Sequence, residues 1–179
     1  TKVTGINIEK ISDFVTLHGD KHDVLILSPY WDLNCFFINS FEQGNFFHPD
    51  FIASSQQFVR EIGIDLDLSK LVMHEDNSAL GNYFIAKKIF WIEWLDLAEK
   101  LMECSENIGG SLSEAMNKKS VSNYDILPLK TFLQERLVNL ILARSQYKSK
   151  ALHIFELPSS VSPLSRYKSE AITLNALKH

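Results

Sequence analysis

The sequence predicts a helix-rich α/β domain, three layers deep, with a small and mostly parallel sheet. Three observations predict it. The run 23–28 (DVLILS) is apolar without interruption, entered through charge and closed by Pro29. Such a run lacks the alternation of a half-solvated strand and suits a buried, parallel one. Two segments, 87–102 and 129–143, repeat apolar residues at helical spacing. Around them, short strand-like runs alternate with helical ones, which is how layered α/β domains are written.

In chain order, Ile8, Ile11, Val15 and Leu17 mark a short amphipathic helix over 8–18, stopped by Gly19-Asp20. The strand 23–28 follows. The stretch 29–50 is rich in aromatics and has a clean period of neither 2 nor 3.6. Phe51, Ile52, Phe58, Val59 and Ile62 predict a helix ended at Gly63. A helical turn is expected over 66–72 and a short strand over 81–86. In 87–102, Ile89, Phe90, Trp94, Leu97, Ala98 and Leu101 line one face. Gly109-Gly110 breaks the pattern, so 106–123 is expected as a mobile surface loop. Pro128 opens a helix over 129–143, with Phe132, Leu133, Leu137, Leu140 and Ile141 as its stripe. A last strand is expected over 151–157, a loop over 158–163 and a terminal helix over 167–177.

With 179 residues, 45% of them apolar and 22% charged, the chain suits a single globular domain over 1–179. It starts at Thr1 rather than a methionine, which leads us to expect a piece of a longer chain. Cys35 and Cys104 are far apart and match neither a zinc site nor a redox pair, which fits a reducing cytoplasm. Residues 1–116 hold 8 basic and 18 acidic side chains, and 117–179 hold 10 and 4, so the two parts should attract each other. The functional alternative is that Lys118, Lys119, Lys130, Arg136, Arg144, Lys148 and Lys150 form a face for phosphate or an anionic membrane surface. A nucleic-acid partner is disfavoured by the pI of 5.8 and the lack of an Arg-rich arm.

Groups with chemical potential concentrate in 29–50, just past the end of the first predicted strand, where open α/β sheets bind ligands. Asp32 or Glu42 suits a base or a metal ligand. Tyr30, Trp31, Phe46 and Phe47 suit stacking on a sugar or base, and Asn34 and Gln43 suit hydroxyl contacts. His48 lies six residues after Glu42. The run His74-Glu75-Asp76-Asn77 has metal-compatible side chains but lacks the pattern of a calcium loop and reads as a solvated loop. No dinucleotide, phosphate-loop, nucleophile-elbow or His-Glu-x-x-His motif occurs. Arg136, beside the apolar stripe of 129–143, has the fork geometry to hold a phosphate.

Several segments together resemble bacterial glycosyltransferase-like proteins of cell-surface polysaccharide synthesis, both capsular and O-antigen. They are Lys2-Val3-Thr4-Gly5-Ile6, DVLILSP (23–29), N-x-F-E-Q-G-x-F-F-H-P (39–49), IGIDLDL (62–68), GNYFIAK (81–87) with Phe90-Trp91, and F-L-x-E-R-L (132–137). The resemblance implies a GT-A-like fold, truncated at its N-terminus. It further implies transfer of a sugar from a nucleotide-sugar donor to a polysaccharide or lipid-linked acceptor, at the inner face of the membrane. A carboxylate, Asp32 or Glu42, would take the acceptor proton. A cation (Mn2+ or Mg2+) or Arg136 would hold the diphosphate. Tyr30, Trp31, Asn34, Gln43, His48 and Asn82 would contact substrate. The family's metal-binding Asp-x-Asp has one counterpart, Asp65-Leu66-Asp67, which reads as a helix cap. The rival reading is a non-catalytic carbohydrate-binding or scaffold module.

Overall fold

A computed structural model describes residues 6–28, 36–107, 109–121, 126–144 and 146–152. Helix α1 (Ile8–His18) is capped by Asn7, whose side chain accepts from the Lys10 amide. Strand β1 (Val24–Ile26) is buried throughout. Helices α2 (Ser40–Phe47) and α3 (Phe51–Glu61) follow, then a 3-10 turn (Glu75–Asn77) and strand β2 (Phe84–Ala86). The long α4 (Lys88–Glu106) leads to α5 (Ser111–Asn117) and to the hairpin of β3 (Lys119–Val121) and β4 (Ile126–Pro128). The described chain ends with α6 (Leu129–Gln134), α7 (Leu137–Ala143) and β5 (Ser149–Ala151).

The main sheet has the order β2-β1-β5. Because side chains alternate along a strand, Val24 and Ile26 face the large core and Leu25 faces the other way. On that second side Ile6, Phe14 and Leu152 cover Leu25, which places α1 as a separate layer. On the first side, Phe41, Phe51, Phe58, Phe90, Leu97, Leu101, Leu133, Leu137 and Leu140 form one continuous core. The helix-rich α/β class is therefore the observed one. Among the described residues no helix is long and apolar enough to cross a membrane.

The sheet differs from expectation. It is mixed: β1 pairs in parallel with β5 but antiparallel with β2. The apolar run 23–28 reports burial on both faces, and a central strand between one parallel and one antiparallel neighbour is buried just as fully. Burial therefore does not encode direction. The region 106–123, expected as a mobile loop, carries α5 and β3 among its described residues. The helix expected over 129–143 is broken at Glu135-Arg136, where Arg136 adopts φ −109° and ψ 2° and joins α6 to α7. A period of apolar residues survives such a break, because both pieces turn the same stripe to the core. The last strand begins at Ser149 rather than residue 151. The expectations for 153–157, 158–163 and 167–177 lie outside the described residues.

Candidate functional site

The irregular-looking stretch before residue 50 contains α2, and its start is built from Asn39 and Glu42. The Asn39 side-chain oxygen accepts from the Phe41 and Glu42 amides, both at 2.8 Å, while its NH2 donates to the carbonyls of Leu68 (2.9 Å) and Leu71 (2.7 Å). Glu42 sits three residues after this cap, and its carboxylate accepts from the Ile38 amide at 2.7 Å. This is a variant of the capping box, reaching one residue further back. The spacing Asn-x-x-Glu was the sequence signal for it, masked by the aromatic residues around it.

Arg136 pins the other side of α2. Its Nε donates to the Ser40 carbonyl (2.8 Å), one terminal nitrogen donates to the Phe132 carbonyl (2.8 Å), and the other donates to Gln43 Oε1 (2.6 Å). Its guanidinium carbon lies 5.0 Å from the centroid of the Phe51 ring. Burial pushes the guanidinium pKa down to about 10, with Glu135, 4.0 Å away, opposing the shift. The group thus stays charged at neutral pH, with its charge spread over neutral oxygens and a ring face. Gly44 is required by this close approach: a Cβ there would come within 2.6 Å of the Phe51 ring and 3.2 Å of Arg136 Nε.

His48 closes α2, its amide donating to the Gly44 carbonyl. Its Nδ1 is 2.9 Å from Ser120 Oγ on β3, and its ring stacks on Phe132 with centroids 3.6 Å apart. Burial lowers the imidazole pKa, and the Arg136 charge lowers it further. A second polar thread crosses the core from Asn139, which exchanges hydrogen bonds with both backbone groups of Ala79 and donates to Ser40 Oγ at 2.9 Å. Ser40, Ser120 and Asn139 were not singled out from sequence. Lone small polar residues carry no pattern, and only the packing reveals their partners.

Of the residues expected to form a site, Glu42, Gln43, His48 and Arg136 gather around α2, where each supports the fold. Asn82 is exposed in the bend before β2, at the C-terminal end of β1, because Tyr83 pairs with Leu27 there. Tyr30, Trp31, Asp32 and Asn34 lie outside the described residues. The outer surface of 36–47 carries Phe36 and Phe46, exposed by 68% and 71%, with Phe47 and Ile38 beside them. The Phe46 ring lies 5.6 Å from that of Phe37 and 5.1 Å from that of Phe47.

Metal chemistry finds no support among the described residues, which contain no group of three or more His, Cys, Asp or Glu able to hold an ion. Asp67 does not fit the role of a metal-binding Asp-x-Asp. One oxygen accepts from the amide and hydroxyl of Ser69, the other lies 3.1 Å from Lys70, and these bonds hold its pKa down to about 2. Asp76 is likewise committed, capping Ala151 N at 2.8 Å and pairing with Lys150. Three of the seven residues proposed as a basic face are paired across the charge divide. Lys118 meets Asp50, Arg144 meets Glu93 and Lys150 meets Asp76, while Arg136 is buried.

No family model, curated protein or solved structure matches this chain.

Proposed function

We propose that this protein contacts carbohydrate through the aromatic surface of 36–47, in the setting of nucleotide-sugar-dependent assembly of surface polysaccharide. One observation carries the reading: the exposed Phe46 ring packs against those of Phe37 and Phe47, and the exposed Phe36 lies on the same segment, which α2 anchors firmly. An exposed apolar patch on a rigid support is what a sugar's C–H face stacks against, and water leaves both surfaces on contact. The resemblance to polysaccharide glycosyltransferases supplies the ligand class.

Two versions of this reading differ in chemistry. In the binding version the protein holds a glycan or a nucleotide sugar without transferring it. This version is favoured by the commitment of Glu42, Gln43 and Arg136 to backbone and side-chain bonds within the fold. In the transferase version Asp32 takes the acceptor proton and a cationic group elsewhere meets the diphosphate, at a site facing the inner membrane surface.

The experiment is a thermal-shift panel of UDP-, GDP-, CMP- and dTDP-sugars and of capsular oligosaccharides, on the wild type and on Phe46→Ala. A ligand at 100 times its dissociation constant stabilises the fold by about 2.7 kcal/mol. Stabilisation that is lost in Phe46→Ala supports the aromatic contact, and no stabilisation by any member of the panel overturns it. Sugar transfer from a nucleotide sugar that survives Asp32→Ala would remove Asp32 as the base, and no transfer by the wild type would remove the transferase version.

A further inference from the structure

The outer face of α4 carries a second surface, unrelated to the one above. Spaced 4-3-4-3-4 along this helix are Lys88, Ile92, Leu95, Glu99, Met102 and Glu106, all exposed, with Ile92 and Leu95 each 53% open and Met102 44%. That is the spacing of a coiled-coil seam, about 27 Å long over 18 residue steps. Phe90, Leu97 and Leu101 already face the core, so this seam is additional to the stripe that holds α4 in the fold.

The charges on α4 run against its own backbone. Lys87 and Lys88 stand at the N-terminal end, where the helix dipole favours anions. Glu103 and Glu106 stand at the C-terminal end, where it favours cations. Lys87 pairs with Asp23, but Lys88, Glu99, Glu103 and Glu106 form no ion pair among the described residues. Turning one α4 end over end against another gives Lys88 and Glu106 partners, because a seam symmetric about residue 97 is its own complement. Lys88 then meets Glu106 of the second copy, Ile92 meets Met102, and Leu95 lies over the aliphatic part of Glu99, each layer occurring twice.

We propose that a second copy of this chain docks on this face, the two α4 helices packing antiparallel about a twofold axis to form an isologous dimer. Charge complementarity selects this occupant. The basic end and the acidic end of one helix, with Ile92, Leu95 and Met102 between them, match the reversed order of its copy, whereas a parallel pair would set Lys88 against Lys88 and Glu106 against Glu106. The inference does not depend on carbohydrate binding.

The test is the mass of the whole chain by sedimentation and light scattering over a concentration series. The expected result is a mass rising from 20.5 kDa toward twice that value as concentration increases. Ile92→Lys and Met102→Lys should each weaken association by about tenfold or more, since each change strikes two layers. Their circular dichroism should match the wild type, because both positions are exposed in the single chain. Lys88→Glu and Glu106→Lys should each weaken it by about fivefold, whereas the double swap, or an equimolar mixture of the two single variants, should restore it. A single-chain mass at every concentration overturns the proposal and leaves the face to another partner. A dimer indifferent to Ile92→Lys and Met102→Lys overturns it as well, as does a double swap weaker than either single variant.

Discussion

Helices α2 and α4 lie in the same fold but are held by opposite means. The eight residues of α2 make about two turns, too few to persist alone. Its order comes from polar bonds at both ends and along one side: Asn39 and Glu42 at the start, Arg136 and Gln43 in the middle, His48 at the close. The 19 residues of α4 begin at Lys87 with no side-chain cap and carry neither an acidic first turn nor a basic last one. They are held by burial of Phe90, Leu97 and Leu101, and by Glu93, which accepts hydrogen bonds from Arg144, Gln146 and Tyr147. A helix fixed by polar bonds spends its polar residues on its own structure. A helix fixed by one buried stripe leaves the rest of its surface at liberty, even to carry charges that oppose its dipole.

If α2 is held as described, the largest effect follows removal of Arg136. Arg136→Ala strands the carbonyl of Ser40, that of Phe132 and the side-chain oxygen of Gln43, and opens a cavity beside Phe51. With each stranded acceptor costing about 1 kcal/mol or more, the expected loss is about 3 kcal/mol or greater. The urea midpoint measures it. Arg136→Lys should recover little, since an ammonium cannot serve three acceptors in a fork. A loss below about 1 kcal/mol would mean that α2 stands without this pin.

Asn39→Ala should come next, at about 2 kcal/mol, since it removes a cap of two amides together with two donors to the 68–71 turn. Hydrogen exchange should localise the change, with the Phe41 and Glu42 amides losing protection before those of α4. Equal loss of protection in both helices would deny the contrast between them.

The parts of the fold written as apolar periodicity were legible in the sequence: α1, α3, α4, the stripe shared by α6 and α7, and β1. What was not legible depended on partners distant in the chain. Sheet direction is set by which neighbours β1 meets, and the run 23–28 looks the same beside either kind. The break at Arg136 exists because its side chain reaches 93 residues back to Gln43 and 96 back to the Ser40 carbonyl. The same distance explains the candidate site. In the sequence Glu42 reads as a candidate catalytic group and Gln43, His48 and Arg136 as substrate-binding ones, but polar groups near apolar surface arise equally from catalysis and from the need to satisfy a short helix. Only their partners distinguish the two.

A smaller effect should appear with pH. Burial and the Arg136 charge hold the His48 pKa below 6.5 in the folded chain, whereas the unfolded chain takes up this proton near 6.5. Below that pH the unfolded state binds more protons, so stability rises with pH across this window and falls as the solution is acidified. The charged group facing His48 is Arg136; its other neighbours, Ser120, Phe132 and Phe51, do not titrate there. Asp23, whose pKa is lowered first by its bond from the Lys148 amide, acts at more acidic pH and leaves the window clear. Urea midpoints at pH 7 and 5 should therefore differ more in the wild type than in His48→Gln. Equal slopes would show that α2 tolerates a second cation beside Arg136.

The smallest effect separates stability from surface on α4. Lys88→Glu replaces a cation with an anion in the first turn, where the exposed N–H groups of the helix favour negative charge. In a dilute, single-chain sample the melting temperature should rise by about 1 to 3 °C, although the same change is expected to weaken association of two chains. A gain in stability accompanied by a loss of pairing is the opposite of what a damaged fold produces. A fall in melting temperature would instead mean that Lys88 supports the single chain, and the account of α4 as a helix held by its buried stripe and by Glu93 would have to give way.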